Sequence, residues 1–240
     1  MKYRLDQLVY QKELVMSRSQ AESWIKLGKV FVNGEAITKP GHFTDETAKI
    51  ELKTDEQYVS RAALKLGSVA QVLGLQFKDK VMLDVGSSTG GFTDYALQHG
   101  ARKVIAVEVG TNQLHPSLHG HPAIELHEQT DIRDIKKLSE MPDIVVIDVS
   151  FISLRDILPH VAMLCGPSTV IAAMVKPQFE ASVSNLKHKG VIKNERMRRD
   201  ILKDFEIWAK KLFVLTDKAD SQIAGAKGNQ ERFYLLKPNK

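Results

Sequence analysis

One cysteine in 240 residues rules out an intramolecular disulfide, and with it the disulfide-stapled class of small secreted proteins. Cys165 sits in the apolar stretch HVAMLC, where a thiol packs as a small hydrophobe. No apolar run approaches the roughly 18 residues of a membrane span. The opening MKYRLDQLVYQKEL alternates charges with apolar residues and lacks the apolar core of a signal peptide. A cytoplasmic protein is expected. Metal-ligand spacing is missing too. His115, His119, His121 and His127 cluster around HPSLHGHP, but no Cys or carboxylate completes a recognised pattern, so no metal is expected. Internal repeats and low-complexity stretches are also absent. What remains is ordinary globular composition, 43% hydrophobic and 26% charged, enough for a buried core in one large or two unequal domains. The net charge of +5 is a small surplus, compatible with a polyanionic partner.

The stretch VMLDVGSSTGGFTD, residues 81–94, carries the most information. An apolar strand reaches Asp84, and Gly86, Gly90 and Gly91 then bring the backbone round into a helix. Glycine permits the tight turn and a close ligand approach, while the helix start offers unpaired N–H groups to an anionic group. The dinucleotide fingerprint wants glycine at its third place, where Ser88 stands; an NAD site is therefore disfavoured. S-adenosylmethionine fits better. It carries no phosphate, offers its carboxylate to the loop, and presents a ribose diol to an acid further on. Glu108 ends the next apolar run, KVIAVEVG, 24 residues after Asp84, close to the roughly 20 expected of a ribose-binding acid one βαβ unit later. A structural βα turn with capping acids would share the same glycines; the spacing of Glu108 weighs against it.

Residues 1–52 form a first unit. Two short amphipathic helices precede strands around the Asn33-Gly34 turn in KVFVNGEAI, then KIEL; the Asn-Gly pair is a strong hairpin signal. Ser17 or Ser19 can cap the second helix, whose Ala21, Trp24, Ile25 and Leu27 face inward while Arg18, Lys26 and Lys29 stay polar. The pattern RLDQL followed by SRSQAESWIKLGKVFVNG resembles the RNA-binding module named after a small-subunit ribosomal protein and shared with pseudouridine synthases and tyrosyl-tRNA synthetases. The resemblance implies an α+β domain that binds RNA, with Arg4, Arg18, Lys26 and Lys29 as its phosphate contacts.

A polar linker, residues 53–58, leads to a second unit over 59–240. After a helix in SRAALKLGSVAQVLG, strands are expected near 81–85, 103–108, 123–127, 143–149 and 168–175, with helices at 91–99, 153–164 and 194–211. That alternation gives a parallel α/β sheet covered on both faces. Two last strands, near 212–218 and 231–237, flank a glycine-containing loop and can pair antiparallel. The fold class is therefore α/β: a Rossmann-like methyltransferase sheet, mostly parallel with an antiparallel C-terminal strand. Ligands of such sheets bind beyond the carboxyl ends of the strands. Asp148 after DIVVI and Lys176 after TVIAAMV are thus candidates, whereas Lys65 and Glu231 read as surface charges from sequence alone. The basic run GVIKNERMRRD reads as a helix start with an exposed basic face that can touch RNA phosphates.

YVSRAALKL, DVGSSTGGFTD, HGARKVIAVEVG, IDVSFISL, VKPQFE and KGNQERF together resemble the TlyA family, also labelled hemolysin A, within the FtsJ-like ribosomal RNA ribose methyltransferases. The resemblance runs end to end. It implies 2′-O-methylation of a cytidine in ribosomal RNA or ribosomal subunits, with S-adenosylmethionine as cofactor. It also implies a Lys-Asp-Lys-Glu tetrad at Lys65, Asp148, Lys176 and Glu231, and cofactor contacts from Asp84, Gly86, Ser88, Thr89, Gly90, Gly91, Phe92, Glu108 and Asp131. Two positions depart from the family's usual residues: Glu108 stands in place of Asp and Asp131 in place of Asn. The start at MKYRLD matches the family's shorter type, for which a large-subunit target is expected. Two other readings compete. A membrane-active cytolysin would suit the hemolysin label but not the lack of a span or a strongly cationic amphipathic face; an assembly factor with an idle methyltransferase fold would not need the tetrad.

Overall fold

The computed structural model describes residues 1–15, 17–53, 58–181, 190–225 and 228–239. At the N-terminus, β1 (Lys2–Arg4) and α1 (Leu5–Gln11) precede α2 (Arg18–Lys26), whose N-cap Ser17 accepts a hydrogen bond from the Gln20 N–H. Strands β2 (Val30–Val32) and β3 (Glu35–Ala36) meet across Asn33 and Gly34. Both turn residues have positive φ, 50° and 89°, as the right-twisting two-residue hairpin turn requires. The pairing of β4 (Phe43–Asp45) with β1 was not expected from sequence, whereas β5 (Ile50–Leu52) joins β2 as the KIEL segment suggests. These strands are three residues or fewer, too short for alternation to mark them.

Most of the expected linker, residues 54–57, lies outside the described residues. Its last residue, Tyr58, is not linker-like. It is 2% exposed, with its ring between Trp24 of α2 and Tyr95, at centroid distances of 6.4 and 5.5 Å. The Gln20 amide donates to the Tyr58 carbonyl at 2.8 Å. One apolar cluster therefore runs from α1 and α2 into the helices beneath the large sheet.

That sheet is built by alternation. Helix α3 (Arg61–Ala70) leads into β6 (Val81–Val85), α4 (Gly91–Gln98), β7 (Lys103–Val107), β8 (Ile124–His127) and β9 (Ile144–Ile147). Then follow α5 (Leu158–Leu164), β10 (Val170–Val175), α6 (Pro177–Glu180), α7 (Glu195–Ala209), β11 (Phe213–Asp220) and β12 (Arg232–Pro238). The order is β11-β12-β10-β9-β6-β7-β8, with β12 antiparallel to both neighbours and the other pairings parallel. The helix expected at 153–164 is divided: a one-turn 3-10 helix at Leu154–Asp156 precedes α5. Pro159 accounts for the break, since it favours a helix's first turn and lacks an N–H for its interior.

Successive strand residues face opposite layers. Val81, Leu83 and Val85 point to the layer of α5 and α7, while Met82 points to that of α3 and α4. Strands β6, β7, β9 and β10 share one carboxyl edge. Because β12 runs the other way, its start lies at that same edge, which brings Glu231 to the ends of β9 and β10.

Candidate active site

Three cavities adjoin along this edge. The largest, about 530 Å³, lies beyond β6 and β7 and is lined by Gly86, Ser88, Glu108, Asp131 and Asp148, among others. A second of about 360 Å³ is lined by Lys65, Lys176, Glu231, Arg61 and Phe179. Between them a space of about 150 Å³ has Asp84, Ser87, Thr89, Phe92, Asp148 and Lys176 in its walls. Ser150 borders all three, and Phe151 borders the two larger ones.

Gly86 (φ +82°) makes the turn after β6. A Cβ there would come 2.8 Å from the Asp148 carbonyl oxygen, so only glycine lets the two strand ends approach so closely. The next two glycines have other duties. Gly90 is the left-handed N-cap of α4, and a Cβ on Gly91 would lie 2.3 Å from Ser60 Oγ and 2.8 Å from the Ala62 Cβ. Gly91 thus serves the packing of α3 on α4. Neither lines a cavity, and Phe92, 3% exposed, packs on Phe233 at 6.1 Å between centroids.

Glu108 is placed just past β7. Its carboxylate accepts from the Ser88 N–H at 2.9 Å and the Gly110 N–H at 2.8 Å, tying two loops together while each oxygen keeps a second acceptor direction. Asp131 caps a 3-10 turn and accepts from Arg133 at 2.7–3.0 Å. That guanidinium holds its carboxyl below the usual range.

Asp84 is fully buried, with Oδ2 accepting from the Thr93 hydroxyl at 2.7 Å. Its Oδ1 and the Ser87 Oγ have no hydrogen-bond partner. Burial lifts the Asp84 carboxyl from 3.8 to about 7 despite the Thr93 bond, with Asp148 and Glu108 adding to the rise. Two acids, Asp84 and Asp148, and two unsatisfied buried oxygens line the space of about 150 Å³, with Glu108 in the wall of the adjoining cavity; such a lining suits a cationic ligand that brings donors of its own. The rise has a testable consequence. The folded chain keeps this proton after the unfolded chain has released it near pH 4, so stability falls as pH rises from about 4 to 7. Melting temperatures between pH 5 and 8 should drop for the native chain relative to Asp84→Asn; parallel curves would show that Asp84 ionises at its ordinary value.

Lys176 follows β10, with Nζ 2.5 Å from Asp148 Oδ1 and donating to Ser150 Oγ at 2.8 Å. Lys65 on α3 reaches Glu231 Oε2 at 2.6 Å. Both of these are buried, 8% and 2% exposed, where sequence alone read two surface charges. The Glu231 carboxylate is accommodated by Gly225, whose Cβ would stand 2.6 Å from Oε1.

Sequence reasoning missed the two residues after Asp148 and Val149. Ser150 completes the Lys176 contact, and Phe151 is 92% exposed with φ +67° and its ring 5.3 Å from that of Phe179. The signal was an aromatic in DVSF, placed just beyond a strand end at the ligand edge.

In the N-terminal unit, Arg4 and Arg18 share one fully buried carboxylate. Arg4 Nε and Nη2 reach Asp6 at 3.0 and 3.1 Å, and Arg18 Nε reaches it at 2.7 Å. Burial alone would raise Asp6, but the two guanidiniums more than offset it and hold the carboxyl low. Both arginine side chains are about half exposed, at 44% and 49%, and Lys26 and Lys29 are exposed. The expected basic face of 190–200 is reduced. Arg198 is buried, donating to the Gln230 carbonyl and Asp220, because it closes α7 against the β11–β12 pair. Lys193, Arg196 and Arg199 remain exposed. Among the described residues no group of His, Cys, Asp and Glu could hold a metal ion.

A Rossmann-like sheet with a glycine turn, an acid after the second strand and charged pairs at its carboxyl edge defines a methyltransferase-type domain. FtsJ-like methyltransferases match residues 58–238, and the S4 domain matches residues 4–47. The 23S rRNA (cytidine-2'-O)-methyltransferase TlyA of Campylobacter jejuni is 37% identical over 95% of this chain and 97% of its own length. Hemolysin A of Brachyspira hyodysenteriae is also 37% identical, over the same shares. A solved structure from Streptococcus thermophilus, provisionally described as a hemolysin, aligns with a TM-score of 0.72 at 36% identity, covering 100% of this chain and 90% of that one. The chain belongs to the FtsJ-like methyltransferase family, TlyA or hemolysin A branch, and carries an N-terminal S4 domain.

Proposed function

We propose that this chain transfers a methyl group from S-adenosylmethionine to the 2′-hydroxyl of a cytidine in ribosomal RNA. The observation that carries the reading is the convergence of Lys176–Asp148 and Lys65–Glu231 where the cavity beyond β6 and β7 meets its neighbour. The ribosomal target draws on the Campylobacter relative and on the 16S/23S enzyme of Mycobacterium tuberculosis.

The cofactor supplies a sulfonium-activated methyl, so no metal or covalent intermediate is needed. In this reading Glu108 would accept hydrogen bonds from the ribose hydroxyls in the 530 Å³ cavity, Asp131 would serve the adenine end, and Asp84 with Ser87 the methionine end. The chain's own work is positioning, which can account for much of such a barrier. Lys176 donates to Ser150 Oγ and is ion-paired with Asp148. Its remaining N–H capacity is left for the ribose oxygen, which it orients, and as that oxygen takes the methyl its proton passes to the Lys176–Asp148 pair, whose carboxylate can accept it. Lys65, steadied by Glu231, guards the opposite wall. Phe151 gives an unstacked base a ring at the mouth of both cavities, the usual way proteins hold single-stranded bases.

The direct test is methylation of purified large and small ribosomal subunits and their RNAs with labelled cofactor, with ribose methylation mapped in a deletion strain. Label in neither RNA would sink the proposal. Among the described residues no helix is long and apolar enough to cross a membrane; leakage from protein-free liposomes on adding the chain would bring the hemolysin reading forward instead.

Cofactor binding has its own prediction. Glu108→Ala leaves the diol without its charged acceptor and should weaken S-adenosylmethionine by roughly 1.5–3 kcal/mol, the worth of hydrogen bonds to an ionised group. Calorimetry showing native affinity would move the ribose elsewhere.

A further inference from the structure

The segment after β9 does three things within four residues. It carries Asp148, supplies Ser150 to Lys176, and holds Phe151 in solvent across two cavity mouths. A phenylalanine at φ +67° and 92% exposed is held in left-handed backbone, which is strained for a residue with a Cβ. Such a conformation persists only where the surroundings over-determine it.

The surroundings converge on Glu180, the last residue of α6 and 1% exposed. Its Oε2 accepts from the Ser153 hydroxyl at 2.7 Å and its Oε1 from the Leu154 N–H at 2.7 Å. Arg155 Nε lies 3.4 Å from Oε2, and its Nη2 continues to Asp204 on α7 at 2.7 Å. The guanidinium also lies over the Trp208 ring at 5.6 Å. One buried carboxylate therefore ties the far end of this loop to the short helix that begins beside Lys176. Glu180 borders none of the three cavities, so it cannot touch a ligand there.

We propose that Glu180 is a positioning residue for methyl transfer: by gripping residues 153–155 it fixes Ser150 on Lys176 and Phe151 at the cavity mouth. The inference rests on the reading of Lys176 and Asp148 as the reacting centre. A purely structural carboxylate at this place would alter melting but leave the rate of the folded enzyme alone.

The test uses the full chain with large ribosomal subunits or their RNA, saturating S-adenosylmethionine and single-turnover conditions. Variants are Glu180→Gln, Ser150→Ala and their combination, each checked by melting and by cofactor calorimetry. Glu180→Gln should slow the step by roughly 10–10²-fold, the scale of an ångström-sized misplacement. Combined with Ser150→Ala it should cost no more than the slower single variant, within about twofold, because a released loop no longer brings Ser150 to Lys176. A native rate in folded Glu180→Gln, or single costs that multiply, would overturn the proposal. If Glu180→Gln does not fold, Ser153→Ala removes one of its bonds and must show the same non-additivity at smaller cost. Failure of the wider reading looks different: Lys176→Met would then keep the native rate as well.

Discussion

Lys176→Met should slow methyl transfer by roughly 10²–10⁴-fold, the usual worth of a positioned acid–base group, while S-adenosylmethionine affinity changes little. Methionine keeps the unbranched stem that fills the space beside Phe179, whose ring centroid lies 6.0 Å from Nζ, and it removes only the amine. It also leaves Asp148 without its cation, so Asp148→Asn is the natural companion. That change preserves shape, removes the charge that fixes Lys176 at 2.5 Å, and should lower the rate through the same amine. Because the two residues act as one unit, the double variant should be little slower than Lys176→Met alone. Single-turnover methylation of ribosomal subunits or their RNA is the measurement, with melting as the control for folding. Two folded, cofactor-binding variants that methylate at native rates would make the pairs structural.

The fold was legible because its signals are local. Apolar runs ending in a charged residue mark parallel strands, and the strands of the large sheet start and stop within a few residues of the expected ones. Asp148 and Lys176 were legible for the same reason, since any polar residue just past such a run falls at the ligand edge. Lys65 and Glu231 were not, because their burial is a tertiary outcome: nothing in RAALKLG or NQERF tells that a helix lysine and a pre-strand glutamate will face each other at 2.6 Å. Resemblance to a family supplied what periodicity could not. Glycines misled in a related way. All three in the turn look alike in sequence, yet Gly86 yields to Asp148, while Gly91 yields to the start of α3, more than twenty residues earlier in the chain. Arg198 in its basic run and Tyr58 in its polar linker likewise took their places from partners remote in sequence.

The arginine pair of the N-terminal unit makes the second large prediction, and here charge and geometry can be set against each other. If Arg4 and Arg18 each meet a phosphate of the RNA, Arg4→Gln with Arg18→Gln should flatten the log–log salt dependence of RNA binding by about 0.7–0.9 per lost contact. Affinity should fall by roughly 10²-fold or more, since each charge-assisted bond is worth about 1.5–3 kcal/mol. Deleting residues 1–52 is a poorer test than it looks from sequence, because Tyr58, which packs on Tyr95, would lose the cover of Trp24. Asp6→Asn is sharper. It adds one positive charge to the unit, so attraction of charge alone predicts tighter binding and a steeper salt slope. Yet Asp6 is what aims both guanidiniums, through contacts of 2.7–3.1 Å; losing that anchor frees two long side chains that must then be ordered again on binding. Binding to ribosomal RNA should therefore weaken in Asp6→Asn, with S-adenosylmethionine affinity unchanged and melting followed to confirm the fold. Tighter binding across the salt range would mean the arginines act as diffuse charge and the buried aspartate serves folding alone.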